Sequence, residues 1–300
     1  MAAFTRLTDV VLAGPRHGIT IKGLSAGDGE GLAPFLFQLI PQWPILPPQV
    51  GTEDEPMDAI TVRRQAGHWQ IESPHMALDD YELEDGYTVA NALIGALIAA
   101  YVAQGDGLTS IHAGAAAFGD GLVLLLGDNE SGKSTFATVL AARGMKFFSD
   151  DRLILDLSKS VPMGSSLAIA AKLRLPLPAE ANAAYRDFVA ENSILTWPEM
   201  AVLQLEAEQA AAFGESLPIR ALVHLQRDPD ATMPELTEMR SPDMVRLLLE
   251  QLFAPHLTQQ GELSACVRLA QGAEIWQLRY ASAFLAADTV MSRFSAPAAP

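Results

Sequence analysis

The residues with the clearest chemical potential are two glycines, a lysine and a serine in the order Gly127-x-x-x-x-Gly132-Lys133-Ser134. This is the spacing of a phosphate-binding loop, in which backbone N–H groups at the start of a helix cradle a polyphosphate. In such a loop Lys133 contacts the β- and γ-phosphates and the Ser134 hydroxyl binds Mg²⁺. The nucleotide-binding segment predicted here consists of Gly127, Asp128, Asn129, Glu130, Ser131, Gly132, Lys133, Ser134 and Thr135.

The residues around this segment provide the context that the motif needs. An apolar run, Leu122 to Leu126, predicts a short buried strand before the loop. Phe136, Val139 and Leu140 predict a helix after it, which ends at Gly144. The alternative, a strand–helix turn that binds nothing, would leave Lys133 without a counter-charge on the buried side, which is unfavourable. Nucleotide binding is therefore the favoured interpretation.

An aspartate pair, Asp150-Asp151, follows Ser134 after room for one helix and one strand. We expect that strand to lie beside the strand of the loop and to end at the same edge of the sheet. One carboxylate there could bind Mg²⁺ while the other accepts a proton from an attacking hydroxyl. A pair of aspartates in a turn or a helix cap is the alternative. His112, on the strand before the loop strand, is expected to return beside the loop, although a lone strand histidine is more often a core residue than a catalyst.

Composition bounds the class of protein. Three hundred residues suit one large or two modest domains, and 36 acidic against 20 basic side chains give a net charge of −16. This acidity argues against a nucleic-acid partner and is compatible with a basic peptide or protein. The single cysteine, Cys266, excludes an internal disulfide. The first residues lack a signal-peptide pattern, and Val89 to Ala103 is too short for a bilayer, so we expect a cytoplasmic protein without a membrane partner.

The remaining patterns predict the division of the chain. Alternation around a glycine at 59–72 predicts a hairpin, 88–104 a helix and 110–118 a strand. Residues 1–50 carry many prolines and favour loops and edge strands. We predict an N-terminal α+β region at 1–107, a nucleotide-binding domain at 108–294 and a disordered tail at 295–300. Within the second domain, 168–177 is expected to be extended, with Lys172 and Arg174 on one face.

Several segments in this order resemble the bacterial HPr kinase/phosphorylase family: Ile111-His-Ala-Gly114, Gly119 to Ser134 with its phosphate loop, Arg143-Gly144 and Ser149-Asp-Asp151. The resemblance covers about 45 residues, and this ordered set is more specific than the loop alone. It implies an α/β fold with the phosphoenolpyruvate-carboxykinase-like type of phosphate-loop core.

The resemblance also implies roles for individual residues. Lys133 looks like the active-site lysine that contacts phosphate, and Ser134 like the Mg²⁺ ligand. Asp151 looks like the base that activates an acceptor serine, and His112 like the active-site histidine next to that base. If Asp151 is the base, Asp150 is the member of the pair expected at the Mg²⁺ ion. The implied cofactors are ATP and Mg²⁺.

Two departures from the family pattern stand out. Glu130 replaces the middle glycine of the loop, which places a carboxylate close to the phosphates. The family's later Glu-x-Arg-Gly segment is not recognisable, and Lys172-Leu-Arg174 is its nearest counterpart. Arg174 and Lys172 could hold phosphates or the acceptor as cations. Because that segment is missing, phosphorolysis is not inherited. HPr itself is not the expected partner, because the chain lacks the family's usual surrounding sequence.

The resulting hypothesis is a kinase that transfers the γ-phosphoryl group of ATP to a serine of a peptide or protein. Some relatives of the resembled group phosphorylate ribosomally made peptides, including lasso peptides. Two alternatives stay open: an ATP-binding sensor or scaffold without transfer, and an ATPase of the ABC or SMC type. HPr-kinase relatives form hexamers, so the resemblance leaves a homo-oligomer open.

Overall fold

The structure is a computed structural model that describes residues 9–24, 32–47, 58–65, 68–78 and 86–295. The chain divides into two compact units. The first comprises Met1–Leu108 with Ala254–His256, and the second Thr109–Phe253 with Leu257–Pro300. Helices and several sheets alternate in a mixed α/β arrangement, as predicted. The predicted disordered tail lies outside the described residues from 296 onward.

The first unit contains one mixed sheet with the strand order β3-β1-β2-β4-β5. The predicted hairpin at 59–72 is confirmed as an antiparallel pair, β4 and β5. Strands β1 and β2 and helix α1 show that the N-terminal segment is more regular than predicted, because its apolar side chains are buried at alternate positions in both strands. The elements of this unit are β1 (Asp9–Leu12), β2 (Ile19–Lys22), α1 (Ala33–Leu39), β3 (Ile45–Leu46), β4 (Ile60–Gln65), β5 (His68–Glu72) and α2 (Gly86–Ala103).

Helix α2 packs on α1, β2 and β5 within this unit. Ten of its residues are buried, and the helix is accordingly apolar nearly all round. By length and composition alone it is also the one helix in the described ranges that could cross a membrane, with 56% of the span buried inside the protein. The helix begins two residues before the predicted start at 88 and ends one residue before the predicted end at 104. A buried core helix passes the same membrane test.

A buried carboxylate, Asp58, connects separate segments of the first unit. Its two oxygens contact the Nε2 atoms of His17 and His75, and Gln104 Nε2 donates to Asp58 Oδ2 at 2.9 Å. Burial raises the pKa of Asp58, but the hydrogen bonds from His75, His17 and Gln104 outweigh it and leave the pKa below its usual value. One ionised side chain therefore joins the turn between β1 and β2 (His17), the segments before and after the hairpin (Asp58 and His75) and the end of α2 (Gln104).

Replacing Asp58 with Asn tests this junction. Asp58→Asn keeps the shape but removes the charge, so the free energy of unfolding of the first unit should fall by about 1–3 kcal/mol. Hydrogen exchange should then quicken in β2 and α2 and stay unchanged in the second unit. Glu72→Gln, in an exposed pair with Arg63 on the same sheet, is the control and should change stability by less than about 0.5 kcal/mol. Equal effects of the two substitutions would contradict this account.

The second unit is built on a strand path β17-β6-β10-β11-β15-β8-β7-β9, with β18 beside β15 and β16 beside β18. A separate sheet has the order β12-β14-β13. The elements, counting β6 from the unit boundary, are β6 (Leu108–His112), β7 (Gly114–Phe118), β8 (Gly121–Leu126), α3 (Lys133–Ala142), β9 (Lys146–Ser149), β10 (Arg152–Asp156), β11 (Met163–Ser165), β12 (Ala171–Arg174), α4 (Ala183–Asn192), β13 (Ser193–Trp197), β14 (Met200–Leu203), β15 (Ser216–Arg227), β16 (Glu235–Glu238), α5 (Ser241–Gln251), β17 (Leu252–Phe253), α6 (Gln259–Gln271), β18 (Glu274–Tyr280) and α7 (Ala283–Phe294).

Strand β8 is the centre of this unit. It runs parallel to β15, which runs parallel to β18, and all six of its residues are buried. Helices α3 and α7 contribute to the core on one face of the sheet, and α5 and α6 to the core on the other. A strand that is covered on both faces has a continuous apolar sequence, and this pattern predicted β8 correctly.

Two details differ from the prediction. The predicted strand 110–118 is two strands, β6 and β7, interrupted at Ala113, whose N–H donates to the carbonyl of Asp151 at 3.1 Å. Strand β9 pairs with β7, not with β8, so the expected neighbour relation is wrong. Because β8 and β9 are each antiparallel to β7, they run in the same direction, and their carboxyl ends still reach the same edge of the sheet.

Candidate phosphate-binding cleft

The turn from β8 into α3 depends on two glycines. A Cβ atom on Gly127 would lie 2.8 Å from Ser131 Oγ and 3.0 Å from the carbonyl oxygen of Leu225, so only glycine fits there. Gly132 has a φ of 92° and begins α3 without a side-chain cap. The first-turn N–H groups of the helix therefore have no intrahelical acceptor and are open to a ligand.

Lys133 is buried at the base of this turn, with 6% of its surface exposed. Its ammonium donates to the carbonyl oxygens of Gly127, at 2.7 Å, and Asp128, at 3.0 Å. Burial lowers the pKa of Lys133, while the nearby charges of Asp151 and Asp128 act in the opposite direction. Two of three donors are thus engaged, and an anion at the helix start would complement the remaining charge.

A tyrosine on β18 supports the loop from behind. The buried Tyr280 hydroxyl donates to the carbonyl of Ser131 at 2.7 Å, and its ring packs edge-on against Phe136. Burial raises the pKa of Tyr280, so the hydroxyl is neutral and able to donate. Sequence reasoning missed Tyr280, because 149 positions separate it from Ser131 and no local pattern links them.

The carboxylate of Asp150 is buried beside the loop. It accepts a hydrogen bond from the N–H of Lys172 at 2.9 Å and another from the Ser134 hydroxyl. Burial, and then the neighbouring charge of Asp151, raise the pKa of Asp150 to about 6. The structure therefore brings together the two predicted metal ligands, Ser134 and Asp150.

Asp151 has the opposite electrostatic environment. His112 Nε2 lies 3.1 Å from its Oδ1, and Lys172 Nζ lies 3.9 Å from its Oδ2. Burial acts to raise its pKa, but the His112 hydrogen bond and the charges of Lys172 and Arg152 outweigh it and hold the pKa well below the usual value. Asp151 is therefore ionised throughout the physiological range. His112 reaches it from β6, which pairs with β10, and not through a hairpin with the loop strand.

Glu130 and Arg174 form an ion pair across the mouth of the site. Glu130 has a φ of 70°, and its Oε1 accepts from Arg174 Nη1 at 2.6 Å, with both side chains more than 70% exposed. The carboxylate that replaces a glycine in the loop thus points outward. Arg174 shares one face of β12 with Lys172, as predicted, and its guanidinium is held by Glu130.

These groups surround a cleft of about 590 Å³. The segments Asn129–Glu130 and Gly132–Thr135 line it together with His112 and Arg174. Gly127, Asp128 and Ser131 belong to the loop itself, and Asp150 and Asp151 are bonded to the lining residues Ser134 and His112. Five further lining residues were not anticipated as site residues: Pro176, Pro178, Ala179, Glu180 and Arg227.

The side chains can supply only part of a metal shell. Among the described residues there is no group of three or more His, Cys, Asp or Glu side chains that could hold a metal ion. Ser134 and Asp150 offer two oxygens, and Mg²⁺ commonly takes few protein ligands and completes its shell with phosphate and water. The donor set therefore fits Mg²⁺ carried with a nucleotide better than a metal held by protein alone.

Comparisons with known proteins give one distant structural likeness and no family assignment. No protein-family model matches the chain, and no curated protein matches it. Among solved structures, the chain is similar to the Hpr(Ser) kinase/phosphatase from Coxiella burnetii, with 13% identity over 61% of this chain and 95% of that one and a TM-score of 0.32. At that TM-score the likeness carries no conclusion about activity.

Removing the Tyr280 hydroxyl should loosen the loop. Tyr280→Phe leaves the Ser131 carbonyl without its donor, so we expect a loss of about 1–2 kcal/mol in unfolding free energy. Affinity for Mg-ADP should fall several-fold because the loop amides are less well oriented. Tyr185→Phe is the matched control, since its hydroxyl bonds to Thr138 Oγ1 at 2.7 Å. Tyr185→Phe should lower the unfolding free energy without changing the affinity for Mg-ADP. An unchanged ADP affinity in Tyr280→Phe would refute the positioning role of the Tyr280 hydroxyl.

The raised pKa of Asp150 predicts a pH-dependent stability. The folded chain holds this proton up to about pH 6 and the unfolded chain only to about 3.8, so ionisation of Asp150 reduces stability as the pH rises through this window. Asp150→Asn cannot ionise and should be the more stable protein at pH 8, by up to about 3 kcal/mol. The difference should largely disappear at pH 4. Urea unfolding at both pH values tests this, with exposed Asp120→Asn as control. An equal difference at both pH values would contradict it.

Proposed function

We propose that this protein is an ATP-dependent kinase that transfers the γ-phosphoryl group to a serine of a peptide or protein. The observation that carries the proposal is the ionised Asp151, bonded to the cleft-lining His112 and close enough to the Lys133 ammonium to influence its pKa. A phosphate-binding loop and an available carboxylate at one cleft are the parts that phosphoryl transfer to a hydroxyl requires. The membership of the HPr-kinase-like group and the phosphoenolpyruvate-carboxykinase-like core remain part of this proposal.

The chemistry follows from positioning and charge. The loop N–H groups and Lys133 hold the polyphosphate, and Ser134 with Asp150 would hold Mg²⁺, which neutralises developing charge when bound. The acceptor hydroxyl oxygen forms a bond to the γ-phosphorus, the bond from that phosphorus to the β,γ-bridging oxygen breaks, and ADP leaves. The hydroxyl proton passes to Asp151. Because the transition state is loose, a weakly basic carboxylate is sufficient for this step.

His112 and Lys172 act on Asp151 and not on the nucleotide in this proposal. Their contacts to its two oxygens fix the carboxylate at the edge of the cleft. Arg174 would leave Glu130 to meet the transferring phosphoryl group, which is a stronger partner for a guanidinium than an exposed carboxylate. We place the reaction in the cytoplasm, with a soluble acceptor and neither nucleic acid nor membrane as a partner.

The two alternatives differ in what supports them. The Glu130–Arg174 ion pair favours a nucleotide sensor without transfer, because Arg174, which was predicted to act on phosphate, is already paired with a carboxylate. An ABC- or SMC-type ATPase would need an Asp-Glu pair at the end of an apolar strand. Strand β15, the parallel neighbour of β8, ends in Gln226-Arg227. Nothing in the described residues favours this class.

Substitution of Asp151 tests the kinase. Asp151→Asn should reduce transfer of ³²P from [γ-³²P]ATP to arrayed serine-containing peptides by about 10²–10⁴-fold, because the proton acceptor is lost. Its affinity for Mg-ADP should remain within about twofold. Asp156→Asn, at the far end of β10, is the control and should stay active. An active Asp151→Asn enzyme would exclude this base, and tight ADP binding by a wild-type protein that phosphorylates no peptide would favour the sensor.

A further inference from the structure

The cleft adjoins a second, smaller cavity of about 40 Å³. Both spaces are lined by Gly132, Thr135, Pro178, Glu180 and Arg227. The small cavity includes neither His112 nor Arg174, which line only the main cleft. The site thus has a reacting end, near His112 and Asp151, and a far end, near Glu180 and Arg227.

The far end has an unusual combination of charges. Glu180 and Arg227 are both exposed to the cleft, and within the described part of the chain neither side chain forms a hydrogen bond or an ion pair. Pro178 and Ala179 provide an apolar surface between the loop and Glu180. A carboxylate repels phosphate, so Glu180 suits an uncharged part of a ligand that donates hydrogen bonds.

We propose that the far end of the cleft is a nucleoside subsite, in which Glu180 accepts hydrogen bonds from ribose hydroxyls and Arg227 lies against the base. The inference rests on the proposed function, since a polyphosphate whose terminal phosphate faces Asp151 directs the rest of the donor past Thr135 to this end. A guanidinium stacks well on a planar ring, and a carboxylate is a common partner of ribose hydroxyls. The small cavity can admit a hydroxyl or amino group but not a ring, so the base lies in the main cleft.

This subsite makes the donor a nucleoside triphosphate in preference to an inorganic polyphosphate. The phosphate loop alone binds both classes, because it contacts only phosphate oxygens. The hydroxyl groups of the sugar distinguish them, since a site built to pair with a hydroxyl discriminates strongly against a ligand without one. Glu180 and Arg227, which lie outside the phosphate-loop motif, would therefore select the phosphate donor.

Isothermal titration of the full chain with three Mg²⁺-loaded probes tests the subsite: ATP, 2′,3′-dideoxy-ATP and tripolyphosphate. Wild type should bind ATP about tenfold or more tightly than the other two. Glu180→Gln should weaken ATP binding about tenfold. The same substitution should leave tripolyphosphate binding unchanged or stronger, because it removes a negative charge near the phosphates. Glu191→Gln, exposed at the end of α4, is the matched control and should bind all three as wild type does.

The outcomes separate this inference from the proposed function. If wild type binds tripolyphosphate as tightly as ATP, or Glu180→Gln weakens all three probes equally, the nucleoside subsite is refuted while the phosphate loop stands. If wild type binds none of the three, the proposed function and the subsite both fail. Arg227→Gln gives a second reading. Contact between Arg227 and the base predicts that wild type binds dideoxy-ATP more tightly than tripolyphosphate, and Arg227→Gln should reduce this preference. An unchanged preference would remove Arg227 from the subsite.

Discussion

The hydrogen bonds from the buried Lys133 ammonium to the carbonyls of Gly127 and Asp128 are the constraint on which the site depends. They hold a positive charge inside the turn between β8 and α3, where it would otherwise be unfavourable. The Tyr280 hydroxyl donates to a third carbonyl of the loop, that of Ser131. With these carbonyls engaged, the N–H groups at the start of α3 face outward, and the turn has the electrostatic character of an anion site.

The two adjacent aspartates illustrate how position separates the properties of identical side chains. Asp150 is buried against Ser134, and its pKa is raised to about 6. Asp151 meets His112 and Lys172 and stays ionised. Successive residues leaving a strand point to opposite sides, so one carboxylate faces the loop and the other faces the edge of the cleft. The pair suits a division of work between a metal ligand and a proton acceptor.

The cleft combines elements that are far apart in the chain. Strand β8 delivers the loop, β9 the aspartates, β6 the histidine and β12 the cations, and these strands belong to two different sheets. Within the larger sheet, the long strand β15 connects the part that holds β6 with the part that holds β8 and β9, because it pairs with β11 at its start and with β8 and β18 further along. Its last residue, Arg227, also reaches the cleft. A single strand thus joins the phosphate loop and the far end of the same site.

Local patterns in the sequence determined the strand–loop–helix unit at Gly121–Ala142, the hairpin at 60–72 and the pairing of Lys172 with Arg174 on one face. Glycine spacing, apolar runs and alternation are set within a few residues, so they can be read directly. Tertiary structure alone decided the strand order that inserts β7 between β8 and β9, the outward pairing of Glu130 with Arg174, the Tyr280 support and the placement of Glu180 and Arg227. Each of these depends on contacts between segments separated by many positions, and no local pattern encodes such contacts.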